Sequence, residues 1–519
     1  MLETVNPATG EVIDVFPVHG RREVDAVVAA AWPAAQWWAG LGWDGRRVRM
    51  LAWKSHLTRY LGRLAQLMHA ETGKPLDDAK LEIIVAITHI DWAARHARSV
   101  LRSRRVRPGW VAVHQAASVE YQPLGVVGVI GPWNHPVFTP VGSIAYALAA
   151  GNAVVFKPSE LTPSVGRYLV DSFASALSVF SLDTPAPPVL QAVYGPGTTG
   201  DALARSGVAK IAFTGSAATA RKVMAAAAEN LTPVLAECGG KDALLVDADA
   251  DLDAAVDAAV WGAMSNAGQT CTGVERIYVA EGIYHSFLER LTARVAGLRP
   301  GSDPGASYGP LTLPSQGALV ASHVADALSR GGTAAVGGPE SVAGNWAGPV
   351  VLTGVPESSA AVTEETFGPV VTVTPVPSLE AGVTLANGGR YGLGSAVFSG
   401  KRSAGLAAAL ALRTGMTSVN SVLGFVTVPG LPFGGVGESG FGRTHGPDGL
   451  REFARAKAIT RQRFRPPMAL TTFDRKSRDM DRLVTLVTLL HGRLYRPRRT
   501  AARRPRLPGR AERAGLGRK

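Results

Sequence analysis

The sequence predicts an α/β protein built on parallel sheets, and three observations predict it. Short Val/Ile/Ala runs recur, each closed by a Gly- or Pro-marked turn and followed by a helix-like stretch, the pattern of strands joined by crossover helices. Hydrophobic residues make up 46% of the 519 positions and charged residues 18%, enough apolar material for large cores in roughly two to four folding units. The two cysteines, Cys238 and Cys271, cannot build a disulfide framework, so core burial must carry the fold and a reducing, cytoplasmic setting is expected.

The elements follow in order. Residues 22–100 read as helices, because "REVDAVVAAAWPAAQWW" and "RVRMLAWKSHLTRYLGRLAQLMHAETG" space apolar residues by three and four. Residues 107–122, "RPGWVAVHQAASVEYQ", alternate and read as a hairpin or extended pair. Strand-then-helix units follow at "GVVGVIGPWN", "GNAVVFKPSELTP", "PVLQAVYGPGTTGDAL" and "VAKIAFTGSAATARKVMAAAAEN". A second unit starts near Thr232, with later strands around Val350 and Val370, and another strand is expected in "REFARAKAITRQRF". The opening "MLETVNPATGEV" is polar, so no secretory leader is expected, and the weakly polar run around "VGSIAYALAAGNAVVF" is too short and interrupted to span a membrane.

The formal charge of +13 is unevenly spread. Residues 461–519 hold 18 Lys and Arg against 4 Asp and Glu, which leaves residues 1–460 close to neutral. The Pro/Arg/Gly end, "RPRRTAARRPRLPGRAERAGLGRK", cannot bury a core and is expected to be disordered. Upstream of it, "DMDRLVTLVTLLHGRLYR" puts Leu483, Leu486, Val487 and Leu490 on one helical face, with Arg482, Arg493 and Arg496 nearby. Three readings stay open: a helix packed on the body with a solvated tail, an anionic membrane contact, or nonspecific nucleic-acid binding. No specific nucleic acid is expected.

Gly195, Gly197 and Gly200 fit G-x-G-x-x-G after a strand, the generic dinucleotide pattern. The acid that should end the next strand is missing, since "KIAFTGS" ends in Thr-Gly-Ser, so a plain strand-to-helix turn competes with a phosphate site there. No His, Cys and carboxylate cluster has metal-ligand spacing, so metal chemistry is not expected.

Six segments carry the chemistry together: "GPWNHP" (131–136), "FKPSELTP" (156–163), "FTGS…LAECGGK" (213–241), "GQTC" (268–271), "EETFGPV" (364–370) and "PFGGVGESGFGR" (432–443). In this order and at these intervals they resemble the NAD(P)-dependent aldehyde dehydrogenase superfamily, from about Asn6 to about Arg461. The resemblance implies a Rossmann-like cofactor domain, an α/β catalytic domain and a small β oligomerisation element. The expected divisions are 1–231 for the cofactor domain with 107–122 as oligomerisation hairpin, 232–432 for the catalytic domain, 433–461 for a return to the cofactor domain and an oligomerisation strand, and 462–519 for the basic tail. A homodimer or homotetramer is also implied.

An aldehyde has no oxygen that can push a hydride off its carbon. Adding a thiolate creates one: the thiohemiacetal oxyanion expels hydride and leaves a thioester for water to cleave. In "GQTC", Cys271 takes the nucleophile position. Glu237 takes the base position, since a desolvated carboxyl is tuned upward toward working pH, and Gly239 and Gly240 beside it point to close backbone packing. Asn134, with the Cys271 N–H, takes the oxyanion position.

For the cofactor the resemblance implies Pro132, Trp133, Lys157, Glu160, Gly215, Ser216, Glu365 and Phe367. A carboxylate at Glu160 accepts from both ribose hydroxyls and repels a 2′-phosphate, which favours NAD over NADP. Ser216 opens a helix-like stretch whose N–H groups suit a pyrophosphate, making Gly215-Ser216 the better phosphate site than Gly195–Gly200. Relatives that pass the acyl group to coenzyme A lack the base, so Glu237 implies hydrolysis to the free acid.

The overall texture, including "GRTHGPDGL", is similar to some bacterial succinic-semialdehyde dehydrogenases, which keeps a carboxylate-bearing aldehyde as an alternative. The late loop "SVNSVLGFVTVPGLPFGG" has no Lys or Arg and leans toward an apolar aldehyde. The rival from another class is a noncatalytic membrane- or nucleic-acid-binding protein on the same scaffold. Cys238 stands where the family usually has Leu, so it reads as a small apolar filler, with a reversible disulfide to Cys271 as the alternative.

Overall fold

The computed structural model describes residues 1–180, 186–466, 468 and 470–492. Two compact units divide the chain. One combines Met1–Arg104 with Ser118–Ile459, and the other combines Arg105–Ala117 with the chain from Thr460 onward.

The first sheet of the large unit has six strands. Their spatial order is Gly440–Phe441, Val234–Glu237, Lys210–Thr214, Val126–Ile130, Ala153–Lys157 and Leu190–Ala192. All are parallel except Gly440–Phe441, which runs antiparallel to Val234–Glu237. Strands Val126–Ile130, Ala153–Lys157 and Lys210–Thr214 are almost wholly buried, which explains their unbroken apolar sequence. Helix Phe138–Ala150 is buried over nearly all of its length. Its C-terminal turn is locked by Asn152, whose Oδ1 accepts from the N–H groups of Leu124 and Gly125 and whose Nδ2 donates to the carbonyls of Ala147 and Phe453.

From Val126–Ile130 the chain winds outward to one side through Ala153–Lys157 and Leu190–Ala192. It then returns to place Lys210–Thr214 on the other side. That reversal is a topological switch point, and ligands bind outside the carboxyl ends of strands at such a crevice. Here those ends carry residues 131–135 and 215–216. The helix at the Gly195–Gly200 pattern, Gly197–Ala204, follows the edge strand instead, as a strand-to-helix turn.

The second sheet has seven strands, ordered Thr333–Val336, Val350–Thr353, Val370–Val376, Val274–Ala280, Asp242–Val246, Ser395–Phe398 and Ser418–Val419. Only the Thr333–Val336 edge is antiparallel. Separate apolar clusters sit on the two sheets.

A third sheet orders Ala454–Gln462, Gln115–Pro123 and Arg104–Val106. The expected extended pair therefore begins upstream of residue 107. Pro108 and Gly109 interrupt the alternation, and a short 3₁₀ turn, Trp110–Ala112, fills the gap before Gln115.

In the smaller unit, helix Ser477–His491 buries none of its residues. Arg493, Arg496 and the Pro/Arg/Gly end lie outside the described residues. Among the described residues, no helix is long and apolar enough to cross a membrane.

Candidate active site

Asn134 and His135 follow the switch-point strand Val126–Ile130, and Glu237 ends the strand Val234–Glu237 of the same sheet. Cys271 reaches them from the second sheet. It follows a kinked turn, Ser265–Gly268, in which Asn266, Ala267 and Gly268 all have positive φ, and precedes strand Val274–Ala280. Glu237, Cys238, Cys271 and Thr444 all line one cavity of about 350 Å³.

The glycines after Cys238 allow this convergence. A Cβ on Gly239 would stand about 2.0 Å from the Glu365 carboxylate, and one on Gly240 would stand 2.6 Å from the Cys271 carbonyl oxygen. Asn134 is buried, and its Nδ2 donates to the Gln269 carbonyl at 3.0 Å, two residues before Cys271. Asn266 Nδ2 donates to the same carbonyl at 3.1 Å, so the turn that presents the thiol is held from both sides.

The electrostatics suit a base and a resting thiol. Burial pushes the Glu237 carboxyl up to about 7, against the opposing pull of a Thr444 hydrogen bond and the Arg443 charge. The Cys271 thiol is held well above the ordinary thiol range by burial and by the carboxylates Glu237, Glu365 and Asp242. Asp242 is itself buried and pushed up to about 7 by desolvation. Burial raises Cys238 to about 12, with Glu237 adding to the effect. Both thiols are free, and Cys238 packs within the apolar cluster of the first sheet while also lining the cavity.

The cofactor candidates lie along the crevice edge. Lys157 ends strand Ala153–Lys157 and donates to Glu160 Oε2 at 3.2 Å, leaving the Glu160 side chain 43% exposed. Ser216 is the N-cap of helix Ala217–Ala228, its hydroxyl accepting from the Thr219 N–H. Gly215 is tied by its N–H to the Glu237 carbonyl at 3.0 Å, so the Gly215-Ser216 turn and Glu237 share one scaffold. Glu365 Oε1 accepts from the Gly240 N–H at 3.2 Å, and Trp133 stands edge-on to Phe367 with ring centroids 5.6 Å apart. Pro132 and Trp133 are half-buried beside Asn134.

This donor set fits a nicotinamide dinucleotide. It offers a lysine–carboxylate pair for ribose hydroxyls, a capped helix N-terminus for pyrophosphate, and a carboxylate next to the thiol for the second ribose.

Three groups of residues were not assigned a role from the sequence. Lys74 and Glu82 form a fully buried ion pair. Lys74 Nζ also donates to the Asn134 carbonyl at 2.9 Å, while Glu82 accepts from His135 Nδ1 and from the N–H groups of Val137 and Phe138. Burial alone would raise Glu82, but Lys74 and His135 hold it far below the ordinary carboxyl range.

A second buried pair, Lys241 and Glu275, fixes the loop of Glu365 and Phe367. Glu275 accepts from the N–H groups of Thr366 and Phe367, and Phe367 sits at φ 51°, a left-handed conformation an aromatic residue adopts only when held there. The third is Thr444, which donates to Glu237 Oε1 at 2.8 Å.

A switch-point crevice with a nucleotide donor set, opening on a thiol and a tuned carboxyl, defines a nucleotide-dependent oxidoreductase with covalent thiol chemistry. The family of that class is settled by comparison with known proteins. The model of the aldehyde dehydrogenase family matches residues 1–459, and the chain belongs to that family. It is 38% identical over 455 residues to a 4,4'-diapolycopene aldehyde oxidase of Methylomonas sp., covering 87% of this chain and 84% of that protein.

It is 34% identical over 462 residues to a protein of Sinorhizobium fredii named probable succinate-semialdehyde dehydrogenase [NADP(+)], covering 88% and 91%. Among solved structures, PnpE from Pseudomonas sp. WBC-3, also solved in complex with nicotinamide adenine dinucleotide, matches with TM-score 0.84 at 32% identity, covering 91% of this chain and 96% of that one. The chain is thus an aldehyde dehydrogenase that oxidises an aldehyde with NAD(P).

Proposed function

We propose that Cys271 is the nucleophile, Glu237 the base that activates the hydrolytic water, and the Asn134 amide with the Cys271 N–H the oxyanion donors. We also propose that the free acid is released and that NAD is preferred. One observation carries the reading: Cys271 and Glu237 open into the same cavity. Bound NAD(P) supplies the hydride acceptor. Addition of the thiolate to the carbonyl carbon forms the thiohemiacetal, and loss of hydride leaves a thioester on Cys271. Water then adds to the thioester carbon, giving its proton to Glu237. Collapse of that adduct breaks the C–S bond and releases the acid and the Cys271 thiolate.

An apolar aldehyde fits the cavity better than a dicarboxylic semialdehyde. Leu81, Val85, Phe138, Trp261, Val426 and Phe433 line it. Among its described lining residues the one Lys or Arg is Lys74, already taken by Glu82 and the Asn134 carbonyl. Burial keeps His135 and His445 low and therefore neutral, so neither offers a cation to a substrate carboxylate. The Glu160 carboxylate at the ribose position favours NAD by repelling a 2′-phosphate, and the strand Ala454–Gln462 is the proposed oligomerisation strand.

An aldehyde panel followed at the NADH absorbance tests this. Long or aromatic apolar aldehydes with NAD should outpace succinic semialdehyde, with stoichiometric free acid and no need for coenzyme A. A coenzyme A requirement, or succinic semialdehyde as best substrate, would overturn it.

A second reading concerns the tail. Val484, Leu489 and Leu490 of helix Ser477–His491 are exposed, and the chain from residue 461 carries 18 basic against 4 acidic residues. Such a helix suits an anionic bilayer, where an apolar aldehyde would dissolve. Co-sedimentation with phosphatidylglycerol vesicles, lost on removing residues 477–519, is the expected result. Equal recovery with neutral vesicles, or none with either, would refute it.

A further inference from the structure

Glu237 has two carboxyl oxygens with different surroundings. Oε1 accepts from the Thr444 hydroxyl at 2.8 Å. Among the described residues, Oε2 has no hydrogen-bond partner, yet it is not a sealed buried atom, and the residue lines the cavity with Cys271. The base is therefore held by one oxygen and open at the other.

Thr444 is suited to hold it, because its own position is over-determined. Its N–H donates to the Phe433 carbonyl and its carbonyl accepts from the Phe433 N–H, both at 2.8 Å. The preceding residues grip the same strand. Gly440 pairs with Glu237, the Cys238 N–H donates to the Ser439 carbonyl at 3.1 Å, and Ser439 Oγ donates to the Gly239 carbonyl at 2.7 Å. The segment from Ser439 to Thr444 is thus a clamp on residues 237–239, and the Thr444 hydroxyl is the part of it that touches the carboxyl.

We propose that Thr444 is the positioning residue of thioester hydrolysis, its hydroxyl pinning Glu237 Oε1 so that Oε2 takes the proton of the attacking water. This rests on Glu237 being the base, as proposed above. A hydroxyl that donates to the ionised carboxylate also favours that form, so it offsets part of the upward push of burial. Arg443 acts on Glu237 from the clamp, and the titratable groups that share its cavity are Lys74, Asp78, Glu82, His135, Cys238, Cys271 and His445, the last held well below its usual range by burial. Arg443 is fixed by donation to the carbonyls of Gly435 and Gly442, so its influence survives removal of the hydroxyl.

The test follows deacylation directly. The full-length enzyme is acylated on Cys271 with p-nitrophenyl acetate, and loss of the acetyl group is timed by intact-mass spectrometry from pH 5 to 9. Thr444→Val, an isosteric change without the hydroxyl, should acylate normally but deacylate roughly tenfold more slowly. Its rising pH limb should move up by about one unit. Thr444→Ser should restore rate and limb to within about twofold. Thr444→Ala gives the same reading if the valine variant is unstable, with circular dichroism as the folding control.

Glu237→Gln serves as the separate arm. If it deacylates like the wild type, the base assignment fails. If it loses deacylation while the Thr444 variants keep both rate and pH limb, the Thr444 proposal alone is overturned.

Discussion

Replacing Glu237 with Gln should make the enzyme inactive and more stable at once. The carboxyl sits at about 7 instead of an ordinary 4.5, because burial penalises its charge. Below pH 4.5 it is neutral both folded and unfolded, and the penalty is absent. Between pH 4.5 and 7 the unfolded chain ionises this group while the folded protein keeps it protonated, so stability falls, and it levels off once the folded carboxyl ionises as well. The full cost above pH 7 is about 3 kcal/mol. Gln has no charge to desolvate, and its carbonyl oxygen can still accept from Thr444.

Thermal unfolding of Glu237→Gln should therefore lie several degrees above the wild type at pH 8 and coincide with it near pH 4.5. Its turnover should fall by roughly 10²–10⁴. In the wild type, the ionised fraction and so the deacylation rate should rise about tenfold from pH 6 to pH 8. A variant less stable than the wild type at pH 8, or a gap that does not close at low pH, would refute the burial argument.

Two further predictions concern the surroundings. Glu82→Gln leaves Lys74 charged and buried without its counter-ion, so stability should drop by about 3 kcal/mol in denaturant unfolding. A change under about 0.5 kcal/mol would show that the pair holds nothing. Glu160→Ala removes the charge that opposes a 2′-phosphate, so the NADP to NAD ratio of kcat/KM should rise roughly tenfold. An unchanged ratio would place cofactor selection elsewhere.

The parallel sheets, the seat of Cys271 opposite Glu237 and the helix behind Gly215-Ser216 were legible in sequence, since strand-turn-helix rhythm and short motifs carry them. The switch point was not, because strand order is a property of pairing and no local run states it. It sets Gly215-Ser216 beside the crevice and Gly195–Gly200 behind the edge strand. Lys74 and Glu82 belong to none of the motifs, and only tertiary burial turns them into the anchor of Asn134. Lys241 sat inside a recognised motif, yet its partner Glu275 is 34 residues on, across two strands of the second sheet. Thr444 gave no signal because a threonine in a glycine-rich loop is ordinary; its contact with Glu237 spans 207 residues. Both thiols are free and line one cavity, so the two readings of Cys238, apolar filler and disulfide partner of Cys271, stand side by side.

The covalent step is the claim on which the rest depends, and trapping it tests it most directly. Enzyme turning over an aldehyde with NAD is acid-quenched, digested and analysed by mass spectrometry. The mechanism predicts an acyl mass on the peptide bearing Cys271, none on the peptide bearing Cys238, and loss of both adduct and NADH formation in Cys271→Ala. An acyl group on Cys238, or full turnover by Cys271→Ala, would contradict it.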